Sequence, residues 1–420
     1  MPVELSGRDR ALLQGAEGEA AALAMRIIVE MSGVMGADRL IDVVSAHVDG
    51  CLYHGLAGLG FAERLAGGGA RVAIPTTLNV GYLDLLHPWL NRAGPQIVSN
   101  ARRQMDLYVA MGCRPTWTCA PYQLPERPAF GEHVAWAESN AIAFCNSVLG
   151  ARTNRYGDFI DVCAAITGRV PLAGLHLDEE RKARLVLRLD GVPGRLLASD
   201  VLYPVLGHLL GREAGSTVAA IVGLPAGTSE DRMKAIGAAG ASSGSVAMFH
   251  VVGVTPEAPT LEAATGGEPV PEIAVTVDRL VAARDELSTA TGERLGAVSV
   301  GTPHASLAEL ERLARLLASV RSRVPFFVNT GRNALAEADR RGWLATLEAA
   351  GAQVVTDTCT YLTPIIGAVD GAVMTDSGKW AWYAPGNLGV DVVFGGLEDC
   401  VLSAATGHVV RDETLWSSDG

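Results

Sequence analysis

The chain has 420 residues and a formal net charge of −12, with no cluster of Lys or Arg, which argues against a nucleic-acid backbone or an anionic membrane as its partner. Hydrophobic residues make up 49% and charged residues 19%, so the chain can fill a core, and its length suits two or three α/β units. Aromatic residues at 5% disfavour a base-stacking module, and no apolar run reaches the roughly 18 residues that span a bilayer.

The opening "MPVELSGRDRALLQG" carries charge early and lacks a signal-peptide pattern. The first 35 residues predict helix, with an Ala/Leu/Met face in "EAAALAMRIIVEMSGVMG" and a turn at Gly36. "RVAIPTTLNVG" predicts a strand over Arg71 to Ile74, breaking at Pro75 into a polar loop. "NRAGPQIVSNARRQMDLYVAMG" resumes helix, and the chain turns again at "GRVPLAGLHLD".

From about Thr217 the pattern is regular. "TVAAIVGL", "SVAMFHVVG", "LGAVSVG", "VPFFVNT" and "AQVVTDT" predict strands. They alternate with helices in "SEDRMKAIGAAGAS", "AVTVDRLVAARDEL", "SLAELERLARLLASV" and "ALAEADRRGWLATLEAAG", of which the first and third start at Ser229 and Ser306 caps. "EAPTLEAATGGEPVPE" predicts a flexible surface loop. This alternation predicts an α/β fold of mostly parallel sheets flanked by helices. Ligands in such folds sit beyond the C-terminal strand ends, where "PTTLN", "GTPHAS", "NTGRN" and "DTCTYLTP" fall. Each is also ordinary turn chemistry; their convergence carries more weight than any one.

Seven scattered cysteines, an odd number without a C-x-x-C pair, fit a reducing cytoplasm better than a disulfide framework. Cys51, Cys113, Cys145 and Cys163 have small or apolar neighbours and read as core fillers. Cys119 in "TCAPY", Cys359 in "DTCTY" and Cys400 in "EDCVLSAATG" lie at loops or an apparent helix start, where backbone N–H groups stabilise a thiolate and iron–sulfur ligation is chemically possible. Spacing alone does not assemble these three. Ser45, His47 and Asp49 in "SAHVDG" lack a G-x-S-x-G elbow, and the dinucleotide and nucleoside-triphosphate fingerprints are missing. Glu138 beside Ser139 and Asn140 can act as acid or base, Arg152 can clamp a carboxylate, and Lys379 can pair with an anion. The plainer alternatives are hydrogen-bonded or salt-bridged structural roles.

Motifs in order along nearly the whole chain resemble the large, catalytic subunit of the aconitase X family, a branch of the aconitase superfamily. They are "SAHVDGCLYHG", "IPTTLN", "TWTCAPY", "GEHVAWAESNAIAFCNSVLGARTNR", "AAITGRVPLAGLHLD", "GTPHASLAE", "VTDTCTYLTP", "DSGKWAWYAP" and "DCVLSAATG". The resemblance implies an aconitase-like architecture of several subdomains, taken as 1–215, 216–350 and 351–420. It implies a lyase that dehydrates a small hydroxy acid at an iron–sulfur cluster, either 2Fe-2S or 3Fe-4S/4Fe-4S. Members include dehydratases of cis-3-hydroxy-L-proline and of mevalonate 5-phosphate. Carried over by position, Cys119, Cys359 and Cys400 are the cluster ligands. Ser45, His47, Glu138 and Lys379 take catalytic roles, and Thr76, Thr77, Asn79, Ser139, Asn146, Ser147 and Arg152 contact substrate.

A small swivelling domain, supplying a serine thought to act as base, is fused in some members and a separate subunit in others. The motifs here leave no room for it, so a separate small subunit is the expected partner. Of the two substrates the proline derivative is the expected one. A non-catalytic iron–sulfur or ligand-binding protein is the alternative of another class, and retention of the three cysteines speaks against it. Three departures bear on substrate identity: Val80 follows Asn79 where the family has Pro, Asn140 replaces a Ser, and Gly378 precedes Lys379 where the family has Ala.

Overall fold

The computed structural model describes residues 3–417. The chain divides into two compact units, Met1–Leu83 with Ala93–Lys182, and Asp84–Arg92 with Ala183–Gly420. Residues 183–215 belong to the second unit and supply it with one strand, Leu185–Arg188, and two helices, Gly194–Ala198 and Leu202–Ala214.

The first unit contains strands β1 (Leu40–Asp42), β2 (Ala46–Val48), β3 (Thr76–Leu78), β4 (Ala135–Trp136) and β5 (Arg169–Pro171). β1 and β5 pair antiparallel, and β3, β2 and β4 form a parallel sheet in that order. The helix predicted over the first 35 residues is two helices, Gly7–Leu13 and Glu19–Met35; the second buries Ala20, Ala24, Met25 and Ile28 along one stripe and ends on Gly36 at φ 68°. It packs on the helix Ile160–Thr167, all of whose residues are buried. The strand expected over Arg71 to Ile74 lies further on. The N–H groups of Val72 and Ala73 are taken by the carbonyls of Met111 and Ala165, and pairing begins only at Thr76, past Pro75.

The second unit contains β6 (Leu185–Arg188), β7 (Ala219–Val222), β8 (Phe249–Val251), β9 (Glu272–Ala274), β10 (Leu295–Ala305), β11 (Phe326–Thr330), β12 (Ala352–Val355), β13 (Ala372–Thr375) and β14 (Val392–Phe394). Two sheets result, ordered β8-β7-β6-β9 and β12-β11-β10-β13-β14, with every pairing parallel. This is the predicted doubly covered α/β pattern, and Ser229 and Ser306 cap their helices as expected.

Two expectations change. "EAPTLEAATGGEPVPE" is built into the fold: it holds the helix Leu261–Thr265, buries Ala264 and Thr265, and leads into β9. The helix after β11 is two helices, Arg332–Arg340 and Trp343–Ala349, separated at Gly342 in the left-handed region. The helices Leu202–Ala214 and Glu230–Gly244 meet backbone to backbone, since a Cβ on Gly244 would lie 1.9 Å from the Gly211 carbonyl oxygen.

Candidate functional site

In the first unit, three adjacent parallel strands each deliver a polar residue at their C-terminal ends. Asp49 follows β2, Asn79 follows β3, and Glu138 follows β4 two residues on. His47 lies within β2, fully buried, level with Thr77 of β3. Its Nδ1 is 2.8 Å from Thr77 Oγ1, and burial pushes its pKa down to about 3, so the ring is neutral. The buried His47 ring also faces the Asn79 side chain and the Thr118 backbone, both of which act against the downward shift.

The remaining predicted residues of this unit divide by role. Thr76 donates to the Ile74 carbonyl at 2.9 Å. Glu138 caps the helix Ser139–Phe144, accepting the Ala141 N–H at 2.9 Å, a bond from Asn140 and one from Ser139 at 3.3 Å. Asn146 sits in a single π-helical turn and exchanges two hydrogen bonds with Thr153, at 2.9 and 3.0 Å. It also accepts from Arg181 at 3.1 Å. Arg152 donates to the His176 carbonyl at 3.0 Å and pairs with Asp178. Ser147 is buried in the same turn as Asn146, and Ser45, partly exposed, precedes β2. Thus Asn146 and Arg152 brace the chain, while His47, Thr77 and Asn79 gather at the strand ends.

Cys119 is buried in the loop after Trp117, whose φ of 45° is unusual for a residue with a side chain. Asn140 donates to the Cys119 carbonyl at 3.0 Å and accepts from Tyr122 Oη at 2.6 Å. The Asn at this departure from the family pattern therefore supports the cysteine loop. Cys145 packs against Tyr122 and Phe144 as core, as its neighbours suggested.

In the second unit, Cys359 follows β12 and is likewise two residues beyond a left-handed residue, Asp357 at φ 61°. Arg332 from "NTGRN" clamps Asp357 through two bonds of 2.6 and 2.7 Å. Asn329 accepts the Thr360 N–H at 3.1 Å, and Trp380 Nε1 donates to Thr360 at 3.0 Å. Within this unit "GTPHAS", "NTGRN" and "DTCTYLTP" meet, and much of their chemistry holds the Cys359 turn in place, whereas "PTTLN" belongs to the first unit.

Sequence reasoning missed His304. It ends the "GTPH" run of β10, is fully buried, and one of its ring nitrogens lies within 4.8 Å of the Cys359 sulfur. Its Nε2 is 3.3 Å from the Thr358 carbonyl, and burial holds its pKa near 4, leaving the neutral imidazole that binds metals. A soft thiol beside a neutral imidazole suits iron or an iron–sulfur group. Cys400 stands elsewhere: in the helix Leu397–Thr406 it packs into the apolar cluster of Val298, Met374 and Val401. Burial, with the charges of Asp376, Asp399 and Glu398, pushes its thiol well above the usual range and favours the protonated form.

Lys379 is buried in the helix Gly378–Leu388, with its Nζ 5.9 Å from the centre of the Tyr361 ring. It lines a cavity of about 220 Å³ with Ser377, Asp376, Lys234, Glu309 and Thr302. Lys234 is itself buried and ion-paired to Asp231, at 3.2 Å, and to Glu309.

These features define a class: a multidomain α/β protein with parallel sheets whose C-terminal ends carry polar groups and, in the second unit, a buried pair of metal-competent side chains. The chain belongs to the aconitase X family. Models of the aconitase X first, second and third domains match residues 2–179, 183–285 and 295–406. The chain is similar to a cis-3-hydroxy-L-proline dehydratase of Pseudomonas aeruginosa, 44% identical over 99% of this chain and 72% of that protein. It is 43% identical to the Hypocrea jecorina protein of the same name, over 97% of this chain and 70% of that one. A phosphomevalonate dehydratase large subunit of Methanothermobacter thermautotrophicus is 39% identical over 93% of this chain and 96% of its own length. The crystal structure of Thermococcus kodakaraensis aconitase X in its holo-form superposes with a TM-score of 0.86 at 34% identity, covering 96% of this chain and 100% of that one. No helix among the described residues is long and apolar enough to cross a membrane.

Proposed function

We propose that this chain is the large part of a hydro-lyase that dehydrates cis-3-hydroxy-L-proline to a pyrroline carboxylate. The observation that carries this reading is 44% identity over 99% of the chain to a dehydratase of that name, against 39% and below for the phosphomevalonate enzymes. The reaction breaks the C–H bond beside the carboxylate and the neighbouring C–O bond. A base takes the proton, the hydroxyl leaves as water after gaining one, and a C=C bond forms.

Cys119 and Cys359 are the thiols we assign to an iron–sulfur group, with His304 beside Cys359 as a further ligand. When bound, such a group supplies Lewis acidity toward the leaving hydroxyl. The family expectation that Cys400 also ligates would require its thiol to leave the apolar cluster that now encloses it. His47 offers a neutral ring held by Thr77, and Asn79 and Thr77 provide polar contacts at the same strand ends. Glu138, as a helix cap, positions the segment carrying Ser139. Lys379 offers a buried cation to a carboxylate.

The phosphomevalonate relatives are named large subunits, which supports a separate small subunit as partner here. Their overlap with this chain also supports the second reading, dehydration of mevalonate 5-phosphate. Co-expression with a small subunit, anaerobic iron loading and assay of both substrates tests the proposal. Turnover of cis-3-hydroxy-L-proline is expected; turnover of mevalonate 5-phosphate alone would replace the first reading with the second.

A further inference from the structure

Between Asp84 and Arg92 the chain belongs to the second unit, although the residues on either side belong to the first. This short segment is fixed to the turn that carries Cys359. Asp84 is fully buried, and both oxygens of its carboxyl are occupied. Oδ1 accepts the N–H groups of Leu86 at 3.0 Å and His87 at 2.7 Å, and the Thr356 hydroxyl at 3.1 Å. Oδ2 accepts the Thr356 N–H at 2.9 Å and lies 3.0 Å from His87 Nδ1. Leu85 N–H donates to Asp357 Oδ2 at 3.1 Å, and Arg92 Nε donates to the Ile365 carbonyl at 2.9 Å. Thr356 and Asp357 precede Cys359, and Ile365 follows it.

The turn needs such support. Asp357 stands in the left-handed region at φ 61°, a conformation that a residue with a side chain keeps only where its surroundings impose it. Arg332 imposes it from one side by clamping the Asp357 carboxylate. Asp84 and Leu85 impose it from the other, through Thr356 and through Asp357 itself. An ionised carboxylate offers acceptors alone, which matches the donors aimed at Asp84; an amide in its place would turn an NH2 toward some of them. The influence of Asp84 also reaches His304. Burial holds the His304 pKa low; the Thr358 carbonyl bond and the Asp84 charge pull it up, and Lys234 pushes it down.

We propose that Asp84 is a positioning residue for the iron–sulfur group: it holds the Cys359 turn in place and sets the charge around Cys359 and His304. The inference rests on the assignment of those two residues as ligands. Partners one layer behind the ligands govern metal affinity and the potential of the bound group. Losing a buried negative charge makes an electron easier to take up, so the potential should rise without Asp84.

The test uses the two-subunit complex after anaerobic iron loading. It reads how fast a chelator strips the iron, the circular dichroism of the thiolate-to-iron bands and the reduction potential. Asp84→Asn keeps the shape and removes the charge. It should lose iron about 10-fold faster than the parent, the scale for partners behind a metal ligand, with altered bands and a higher potential. Thr356→Val removes one of the bonds to Asp84 and should lose iron about 2- to 5-fold faster. Leu347→Ala opens a cavity in the apolar core of the same unit and should release iron at the parent's rate. Should Asp84→Asn fail to fold, Thr356→Val decides by the same readings. Folded variants with the parent's release rate and bands overturn the inference. So does release from Leu347→Ala as fast as from Asp84→Asn, which would make Asp84 a brace for stability alone. Iron bound equally by the parent and by Cys359→Ser overturns the Cys359 assignment, and the role of Asp84 falls with it.

Discussion

His47 and Thr77 stand level across β2 and β3, with Nδ1 2.8 Å from Oγ1. Thr77 Oγ1 also lies 3.5 Å from the Ala46 carbonyl, so its hydroxyl can donate there while accepting Nδ1–H. This fixes the ring on a rigid strand, which is what a substrate-contacting histidine needs. Thr77→Val should leave the thermal midpoint nearly unchanged and lower kcat/KM of the loaded complex by about 2- to 10-fold, the scale of one hydrogen bond. Thr77→Ser should recover most of the loss. Equal activity in the valine variant would show that the contact is only structural.

Iron retention separates the cysteines. After anaerobic reconstitution, Cys119→Ser, Cys359→Ser and His304→Ala should each keep less than about a tenth of the parent's iron and lose the thiolate-to-iron absorption. Cys400→Ser should keep it, because Cys400 is enclosed by Val298, Met374 and Val401. Iron lost from Cys400→Ser but kept by His304→Ala would restore the ligand set that the family resemblance implies.

Arg181 is buried and donates to Asn146 Oδ1 at 3.1 Å, the Asn146 carbonyl at 3.0 Å, the Ala151 carbonyl at 3.2 Å and the Leu175 carbonyl at 2.9 Å. Removing it leaves several buried acceptors unsatisfied. Arg181→Met should cost about 3–5 kcal/mol, and Asn146→Ala about 1–3 kcal/mol, in urea unfolding of the first unit. If Asn146→Ala unfolds like the parent but raises KM, Asn146 is a substrate contact after all.

What the sequence made legible follows from what is local. The alternation of strands and helices after Thr217, and the caps at Ser229 and Ser306, depend on neighbours in the chain, and they stand in the structure apart from the built-in segment 257–272 and the helix that splits at Gly342. The short strands of the first unit were harder. β2 and β3 have three residues each, too few for periodicity, and only pairing defines them. At the site, "GTPH" was legible as a strand-end motif. That its His304 meets Cys359 depends on β10 and the turn after β12, separated by some fifty residues of chain. Arg152 and Asn146 carry the residue types of a binding wall, and their partners in the fold, the His176 carbonyl and Thr153, could not be read from those types.

Asp376 provides a test of the cavity in the second unit. It follows β13, lines the cavity with Lys234 and Glu309, and has its pKa raised to about 7 by burial, then by the Glu309 charge, against the opposing pull of Lys234 and Arg312. A carboxyl whose folded pKa lies above its unfolded value of 3.8 binds its proton more tightly in the native state. Its contribution to stability is full below the unfolded value and is lost as pH rises through about 7. Asp376→Asn cannot ionise, so it escapes that loss. The variant should therefore unfold at a higher temperature than the parent at pH 8.5, by an amount on the order of 2 kcal/mol, and the advantage should shrink steadily toward pH 4. Thermal midpoints of the two proteins across that range give the answer. A difference that does not change with pH, or one that grows toward acid, would mean that Asp376 is ionised throughout and that Lys234 and Arg312 outweigh its burial.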